Sequence, residues 1–352
     1  MTDMTKGLAT FGWSHHFNAQ LDPDTSDAAL VPLRVVAVHR DGLEVVGPAF
    51  AGRVAQIADA EDEEGRATVG DFVLADLSTL RARRLLDRKS LFKRKAAGTG
   101  RRVQLLAANV DTLFVVTSCN QDFNVARLER YLALAREAGV TPVVLLTKAD
   151  LVDDTADYER AAARLLPGLF VECLDGRDPD AAARLVPWCG MGQTVALVGS
   201  SGVGKSTIVN TLAGGTQAVA GIRENDAHGR HKTTGRSMHQ LASGGWLIDT
   251  PGMRELQLAD VEEGIAEVFA DIAALAVGCR FADCRHEGEP GCAVEAAVAG
   301  GTLDPDRLHR FRKLTSEDAR NSASIRERRQ RDRGFGRLVR EATRLKNRRW
   351  DP

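Results

Sequence analysis

The segment with the most specific chemistry is the glycine-rich loop Gly199-Ser200-Ser201-Gly202-Val203-Gly204-Lys205-Ser206-Thr207. It follows the apolar run 194–198 and matches the pattern G-x-x-x-x-G-K-[ST]. In this pattern the glycines let backbone N–H groups surround phosphate oxygens, the lysine contacts the terminal phosphates, and the Ser206 hydroxyl binds Mg²⁺. The loop therefore predicts a site for nucleotide phosphates and Mg²⁺, but it does not specify the base.

The base is indicated by Thr147-Lys148-Ala149-Asp150, which ends the apolar run 143–146. A carboxylate at this point can accept hydrogen bonds from both N1–H and the exocyclic amino group of guanine, whereas adenine offers no such pair of donors. The alkyl stem of Lys148 can lie along the purine ring. We therefore predict that GTP and GDP bind to these four residues and to residues 199–207.

Another strand-like run ends in Asp249-Thr250-Pro251-Gly252. We expect Asp249 to hold the Mg²⁺ hydration shell and the Gly252 amide to sense the γ-phosphate. Met253 follows, where many GTPases place the glutamine that positions water, so intrinsic hydrolysis is expected to be slow.

The polar stretch 221–235 has the composition of a mobile loop that becomes ordered around Mg²⁺ and the γ-phosphate. Thr233 or Thr234 would be its magnesium ligand. His231 is the nearest titratable side chain that could orient water in place of the missing glutamine, which makes it a candidate catalytic residue. A His231 that faces a partner, or is merely exposed, is the open alternative.

Three cysteines and a histidine lie close together, with the spacing Cys279-x₄-Cys284-x-His286-x₅-Cys292. Three thiolates and one imidazole are the ligands of a closed tetrahedral zinc site, which has no open position for chemistry. We therefore predict one structural Zn²⁺. Reduced core cysteines beside an exposed histidine are the alternative reading.

The elements around these motifs predict a multi-domain α/β protein. Short β-rich runs separated by turn signals predict an all-β barrel, and alternating strands and helices then predict a parallel sheet. The guanine motif precedes the phosphate loop, whereas the usual order is the reverse, so this domain is circularly permuted. We divide the chain into an extension with weak local order (1–30), a small all-β barrel (31–98), a permuted P-loop GTPase domain (99–258) and a zinc-binding helical domain with a basic tail (259–352).

Charge is distributed unevenly along a chain of 352 residues whose formal net charge is −1. The segment 307–350 holds 16 Lys and Arg against 5 Asp and Glu. A cationic end on an acidic body suits binding to a polyanion, because each phosphate contact releases counterions, although a solvated helical face is the alternative. No apolar run is long enough to cross a membrane and no secretory signal precedes the barrel, so we expect a cytoplasmic protein with reduced cysteines.

Taken together, the motifs resemble one family, the circularly permuted, ribosome small-subunit-dependent GTPases called RsgA or YjeQ. The resemblance runs from about residue 31 to about residue 314. It rests on Val69-Gly70-Asp71, Arg88-Lys89-Ser90, Ala107-Ala108-Asn109-Val110-Asp111, Gly229-Arg230-His231-Lys232-Thr233-Thr234 and the motifs above, all in one order.

The resemblance implies an OB-fold that contacts 16S rRNA, a GTPase core, and a zinc domain that also binds the small (30S) subunit. It further implies a role in late 30S maturation, with GTP hydrolysis stimulated by the subunit. Lys232 stands where the family commonly has threonine. We expect a monomer, because no segment of the sequence has the pattern of a coiled coil or of an edge strand built for pairing with a second copy. A GTP-gated RNA-binding module with incidental hydrolysis is one alternative, and a P-loop ATPase or small-molecule kinase is another.

Overall fold

A computed structural model describes residues 7–22, 29–57, 64–95, 103–213, 236–249 and 258–322. Its strands are β1 (Val31–His39), β2 (Gly42–Val46), β3 (Ala51–Val54), β4 (Phe72–Asp76), β5 (Arg81–Leu85), β6 (Leu91–Lys95), β7 (Val103–Ala108), β8 (Thr112–Ser118), β9 (Thr141–Thr147), β10 (Phe170–Cys173), β11 (Thr194–Val198), β12 (Arg236–Gln240) and β13 (Trp246–Asp249). Its helices are α1 (His15–Asn18), α2 (Val125–Glu137), α3 (Ala156–Ala163), α4 (Pro179–Cys189), α5 (Lys205–Leu212), α6 (Glu262–Val268), α7 (Ala270–Ala276), α8 (Ala293–Ala299) and α9, described over residues 305–322. Among these helices, none has the length and apolar character that crossing a membrane requires.

The first five strands form a closed barrel. Antiparallel pairs join β1 to β2, β2 to β3, β1 to β4 and β4 to β5. A parallel bridge between Ala55 and Arg81 links the end of β3 to β5 and closes the ring in the order β1-β2-β3-β5-β4. Alternating apolar residues such as Leu33, Val35 and Val73 fill its interior, which is the pattern expected of a small five-stranded barrel. The prediction of an N-terminal OB-fold barrel is confirmed.

The central sheet of the following domain has the order β10-β9-β8-β11-β13-β12. The first five of these strands are parallel and β12 alone is antiparallel to its neighbour β13. Buried on both faces, strands such as β8 and β9 are almost continuously apolar, as parallel strands covered by helices must be. The prediction of a parallel α/β sheet is confirmed.

The barrel and the parallel sheet are one hydrogen-bonded surface. Strand β1 pairs with β12 through Ala37 opposite Ser237 and Val38 opposite Arg236. The sequence pattern did not indicate this pairing, because strand partners far apart in the chain leave no local signal. As a consequence, the barrel is bonded directly to the strand that follows the predicted first switch.

The N-terminal segment is more ordered than its irregular sequence led us to expect. Over residues 7–22, Leu8 and Phe17 are completely buried. The indole N–H of Trp246 donates to the Thr10 carbonyl at 2.8 Å, and the Phe17 ring lies 4.5 Å from that of Phe72. The apolar residues are spaced without a period because they fill a crevice between barrel and sheet rather than one face of a helix.

The C-terminal helices pack on α2. A methyl group at Gly264 would lie 2.0 Å from the Ala133 carbonyl, so α6 approaches α2 at a point where only glycine fits. The Gly264 amide donates to the Glu137 carboxylate at 3.0 Å. On α9, Arg310 donates at 2.8 Å to Glu129, a fully buried residue of α2. Helix α2 is therefore the shared wall between the parallel sheet and the zinc domain.

Arg34 connects three parts of the structure from a completely buried position. Its guanidinium donates to the Thr194 hydroxyl at 2.8 Å, to the Asn109 carbonyl at 3.3 Å and to the Phe11 carbonyl. It also lies over the Phe72 ring, 5.2 Å from its centroid. Burial lowers the pKa of Arg34 to about 10, so the side chain stays charged at neutral pH.

We predict that Arg34→Met destabilises the protein by about 3 kcal/mol, because it leaves buried carbonyl and hydroxyl groups without their donor. The measurement is equilibrium unfolding in urea followed by tryptophan fluorescence. The matched control is Arg53→Met, whose side chain is 61% exposed and pairs with Asp41 at 3.7 Å. That change is expected to cost less than about 0.5 kcal/mol. Equal unfolding midpoints for the two variants would contradict the role assigned to Arg34.

Candidate GTP and metal sites

The phosphate loop connects β11 to α5 at the carboxyl end of the sheet. Gly199 has φ +145°, and a methyl group on it would lie 2.2 Å from the Val116 carbonyl, so no other residue fits there. Gly202 and Gly204 also adopt positive φ. Val203 is buried in the core and anchors the loop, whereas Ser201 and Gly202 are exposed at its tip. The sequence thus forms a tight loop with its backbone available to a ligand.

The loop carries positive potential toward its concave side. Helix α5 begins at Lys205 with Gly204 as its N-cap, so its unpaired N–H groups and dipole favour an anion. The Lys205 ammonium donates to the Gly199 carbonyl at 2.9 Å and to the Ser200 carbonyl. Ser206 is exposed in the first turn of α5, where its hydroxyl is accessible to a cation, and Thr207 follows it. This arrangement suits phosphate oxygens with Mg²⁺.

The predicted guanine motif lies against this loop although it precedes it by more than fifty residues. The Thr147 hydroxyl at the end of β9 donates to the Val203 carbonyl at 2.6 Å, and it also lies 3.1 Å from the Thr117 carbonyl. Lys148 then turns the chain with a left-handed φ of +58°, and Ala149 begins a single 3₁₀ turn. The structure therefore brings the two motifs of the predicted GTP site together.

Asp150 has a partner that sequence reasoning missed. Its carboxylate accepts a hydrogen bond from Arg177 at 2.6 Å, and the same guanidinium donates to Asp175 at 3.1 Å. The hydrogen bonds from Arg177 lower the pKa of Asp175. Since Arg177 is 69% exposed, a guanine base can share or displace it at modest cost. No motif in the sequence marks Arg177, because its role depends on the strand order.

The predicted switch residues are only partly described. Strand β13 ends at Asp249, and its neighbour in parallel register is β11, which leads into the phosphate loop. The backbone of Asp249 thus lies at the same sheet edge as Gly199. His231, Thr233, Thr234 and Gly252 lie outside the described residues, and their roles stay predictions.

A second residue missed by the sequence is Arg127, in the first turn of α2. Its guanidinium donates to the Ser200 hydroxyl of the phosphate loop. Asn124 caps this helix by accepting from the Arg127 amide at 2.9 Å, which fixes where α2 starts. The contact joins α2, and through it the C-terminal helices, to the loop.

The four predicted zinc ligands converge. The ligand atoms of Cys279, Cys284, His286 and Cys292 lie within 4.8 Å of one another. His286 Nδ1 is 3.6 Å from the Cys279 Sγ and 3.4 Å from the Cys292 Sγ, and these two sulfurs are 3.9 Å apart. Bond lengths of about 2.3 Å to sulfur and about 2.0 Å to nitrogen place tetrahedral ligands about 3.5 to 3.8 Å apart. The cluster therefore fits a zinc ion.

The local protonation chemistry also suits a metal. Burial lowers the pKa of His286, which favours the neutral imidazole that binds metals. Burial disfavours the Cys279 thiolate, but hydrogen bonds from the Ala293 and Val294 backbone, together with those from Cys284 and Cys292, lower the pKa of Cys279. Cys292 caps α8 by accepting from the Glu295 amide at 3.4 Å. The loop and α8 are thus organised around the ligands.

The sequence profile described as the RsgA GTPase matches residues 85–259 of this chain. A protein of Mesorhizobium japonicum named small ribosomal subunit biogenesis GTPase RsgA is 54% identical over 92% of this chain and 93% of its own length. One of Vibrio parahaemolyticus, named small ribosomal subunit biogenesis GTPase RsgA 2, is 49% identical over 95% of this chain and 92% of its own length. The chain belongs to the RsgA GTPase family. The family resemblance predicted from the motifs is confirmed.

Two solved structures share the fold. The crystal structure of YjeQ from Thermotoga maritima superposes with a TM-score of 0.59 at 23% identity, covering 81% of this chain and 97% of that one. The crystal structure of YloQ, a circularly permuted GTPase, superposes with a TM-score of 0.58 at 24% identity. The match covers 84% of this chain and 97% of that one. The predicted fold class, with its permuted GTPase domain, is confirmed.

We predict that Cys292→Ser abolishes stoichiometric zinc binding and unfolds the C-terminal helices locally, because the site loses a thiolate and α8 loses its cap. Zinc content by elemental analysis and the midpoint of thermal unfolding are the measurements. Cys173→Ser is the control, since this half-buried thiol lies far from the cluster in the chain and outside it. Zinc retained at one equivalent in Cys292→Ser would contradict the site.

We predict that Asp150→Asn weakens GTP binding about a hundredfold and strengthens binding of xanthosine triphosphate. The amide can donate to the C2 oxygen of xanthine, whereas it cannot accept two hydrogen bonds from guanine. Titration with fluorescent nucleotides measures both affinities. Arg177→Gln is the control in the same neighbourhood and is expected to change GTP affinity less than about fivefold. Unchanged GTP affinity in Asp150→Asn would refute the guanine assignment.

Proposed function

We propose that this protein hydrolyses GTP to GDP and phosphate and acts in maturation of the small (30S) ribosomal subunit. Hydrolysis would be slow in the isolated protein and stimulated by the subunit. The observation that carries the proposal is the hydrogen bond between Thr147 and Val203, which places the guanine motif against the phosphate loop. The close relatives are named small ribosomal subunit biogenesis GTPases, which points to the same process.

The nucleotide would bind through contacts that the geometry favours. Backbone N–H groups of the phosphate loop and the start of α5 would hold the phosphates, and the Lys205 ammonium would neutralise the terminal ones. Asp150 would accept from guanine, with the stem of Lys148 along the ring. Ser206, and Asp249 through water, would hold Mg²⁺, which supplies charge neutralisation at the transferred phosphoryl group.

Hydrolysis would depend on completing the site. Met253 cannot orient water, so the predicted catalytic group is His231, with Thr233 or Thr234 joining Mg²⁺ and the Gly252 amide sensing the γ-phosphate. Met253 and these four residues all belong to the predicted switch segments. Contact with the ribosomal subunit would bring these groups to the γ-phosphate, and turnover without the subunit would therefore be slow.

The barrel and the zinc domain would supply the contacts with 16S rRNA. Strands β1 and β12 form one antiparallel ladder, so RNA bound to the barrel would act on the strand next to the first switch. Cys279, Cys284, His286 and Cys292 would hold a structural Zn²⁺ that maintains the zinc domain, leaving no open position for chemistry. The basic residues beyond residue 322 would add contacts with rRNA phosphates.

Several further assignments accompany the proposal. We infer that the chain is divided into the extension 1–30 and the domains 31–98, 99–258 and 259–352. We also infer that the protein acts as a monomer and that it is located in the cytoplasm. The closed barrel and the continuous parallel sheet support the domain division. The candidate thiolate ligands need a reducing compartment and so support the cytoplasmic location. Size-exclusion chromatography with light scattering would test the monomer.

We predict that purified small subunits stimulate GTP turnover strongly at fixed salt, whereas large subunits do not. His231→Ala should reduce the stimulated rate by at least about a hundredfold and leave GTP affinity unchanged, because a positioned general base contributes about that much. Phosphate release under multiple-turnover conditions is the measurement.

The control variant is His239→Ala, a histidine that β12 carries beyond the predicted switch. It is expected to retain stimulated turnover within about twofold. If small subunits bind the GTP form tightly without raising turnover, hydrolysis is incidental and the protein is a GTP-gated RNA-binding module instead.

A further inference from the structure

We propose that the cavity between α2 and α9 binds a phosphate-bearing anion. The cavity has a volume of about 280 Å³, many times the roughly 30 Å³ that one water molecule occupies in the liquid. Its wall carries four cationic side chains, Arg127, Arg130, Arg310 and Lys313, against one carboxylate, Glu317. Neither the family motifs nor the zinc cluster includes any of these residues.

The cavity has more positive charge than its own carboxylate can neutralise. Glu317 is occupied by Arg130, whose guanidinium donates to both of its oxygens, one of them at 2.9 Å. Within the described part of the chain, Lys313 has no ion pair and Arg127 bonds to a hydroxyl rather than to a carboxylate. Arg310 is paired with Glu129, so two positive charges remain. They match one phosphomonoester, with a charge of about −2 near neutral pH, or two backbone phosphodiesters of one negative charge each.

Arg310 adds hydrogen-bond donors without adding surplus charge. Its Nε donates to Glu129 at 2.8 Å, which fixes the guanidinium plane. Its two terminal amino groups have no acceptor among the residues that the structure describes. A guanidinium held in this way is already positioned for an oxyanion, and so it loses little conformational freedom on binding.

Tyr131 adds a further hydrogen-bond donor to the cavity. The residue is 6% exposed and lines the cavity, yet its hydroxyl has no hydrogen-bond partner within the described ranges. Because the hydroxyl oxygen is itself accessible to solvent, it can donate to an anion in the cavity. Burial raises the pKa of Tyr131, and the hydroxyl therefore keeps its proton and can donate.

Binding in this cavity would be coupled to the nucleotide, a consequence that rests on the proposed GTP site. Arg127 lines the cavity and also donates to Ser200 in the phosphate loop. An anion that recruits this guanidinium would weaken its contact with the loop. By linkage, nucleotide binding and anion binding then alter each other's affinity by the same factor.

The test is calorimetric titration of inorganic pyrophosphate into full-length, zinc-loaded protein saturated with Mg²⁺ and a non-hydrolysable GTP analogue. The analogue fills the phosphate loop, so saturable uptake of one pyrophosphate reports the cavity. Lys313→Glu is expected to weaken binding at least tenfold. Arg320→Glu, an equal charge change at an exposed position of α9 whose side chain bonds to the Ser316 carbonyl, should change it less than twofold.

Tyr131→Phe keeps the buried ring and removes the hydroxyl, and it should weaken pyrophosphate binding at least threefold with an unchanged unfolding midpoint. Equal affinities in Lys313→Glu and Arg320→Glu, or no saturable binding to the wild type, would overturn the proposal. If the GTP analogue itself fails to load, the proposed function fails, but pyrophosphate binding and its loss in Lys313→Glu are still measurable on the nucleotide-free protein.

The phosphate can come from a free anion or from an RNA backbone, and competition separates these sources. A short oligouridylate that displaces pyrophosphate from the wild type and loses affinity in Lys313→Glu identifies the RNA backbone. Pyrophosphate binding that the oligonucleotide does not disturb identifies a free phosphorylated anion.

Discussion

Parallel pairing of β11 with β8 on one side and β13 on the other is the constraint on which the rest of the structure depends. Parallel strands bring their carboxyl ends to one edge, so the turns that follow them must converge. The phosphate loop, the guanine motif and Asp249 all lie at this edge although the chain visits them in permuted order. Strand β9 is separated from β11 by β8, and the Thr147 hydroxyl reaches across to the loop that follows β11.

Permutation changes which elements are attached to the nucleotide site. The strand order of the sheet is independent of where the chain begins, since hydrogen bonds between strands do not depend on their covalent connection. In this protein the barrel is bonded to β12, and the zinc domain packs on α2, whose first turn contacts the phosphate loop. Both the barrel and the C-terminal helices are therefore one element away from the candidate nucleotide site. Arg310 donates to Glu129, a fully buried residue of α2, and loss of this partner would leave a buried charge unpaired.

Prediction from the sequence succeeded where chemistry is local. The phosphate loop needs a glycine with φ +145° and a lysine at the start of a helix, and the candidate metal site needs thiols at ligand spacing. Each of these features requires particular residues at fixed separations, so each can be recognised in the sequence. It failed for Arg177 and Arg127, which acquire roles only through strand order and helix packing. It also failed for the N-terminal segment, whose apolar residues follow the shape of a crevice instead of a period.

The sequence by itself determined the fold class, the family, and the candidate GTP and zinc sites, because each motif that specifies them is short and its residues lie close together in the chain. Only the tertiary structure decided that β1 pairs with β12, that Arg34 joins the barrel, the N-terminal segment and the sheet, and that α2 and α9 enclose a cationic cavity. These features arise from contacts between residues distant in the chain. Their energies depend on burial and mutual orientation, which no local pattern of residues encodes.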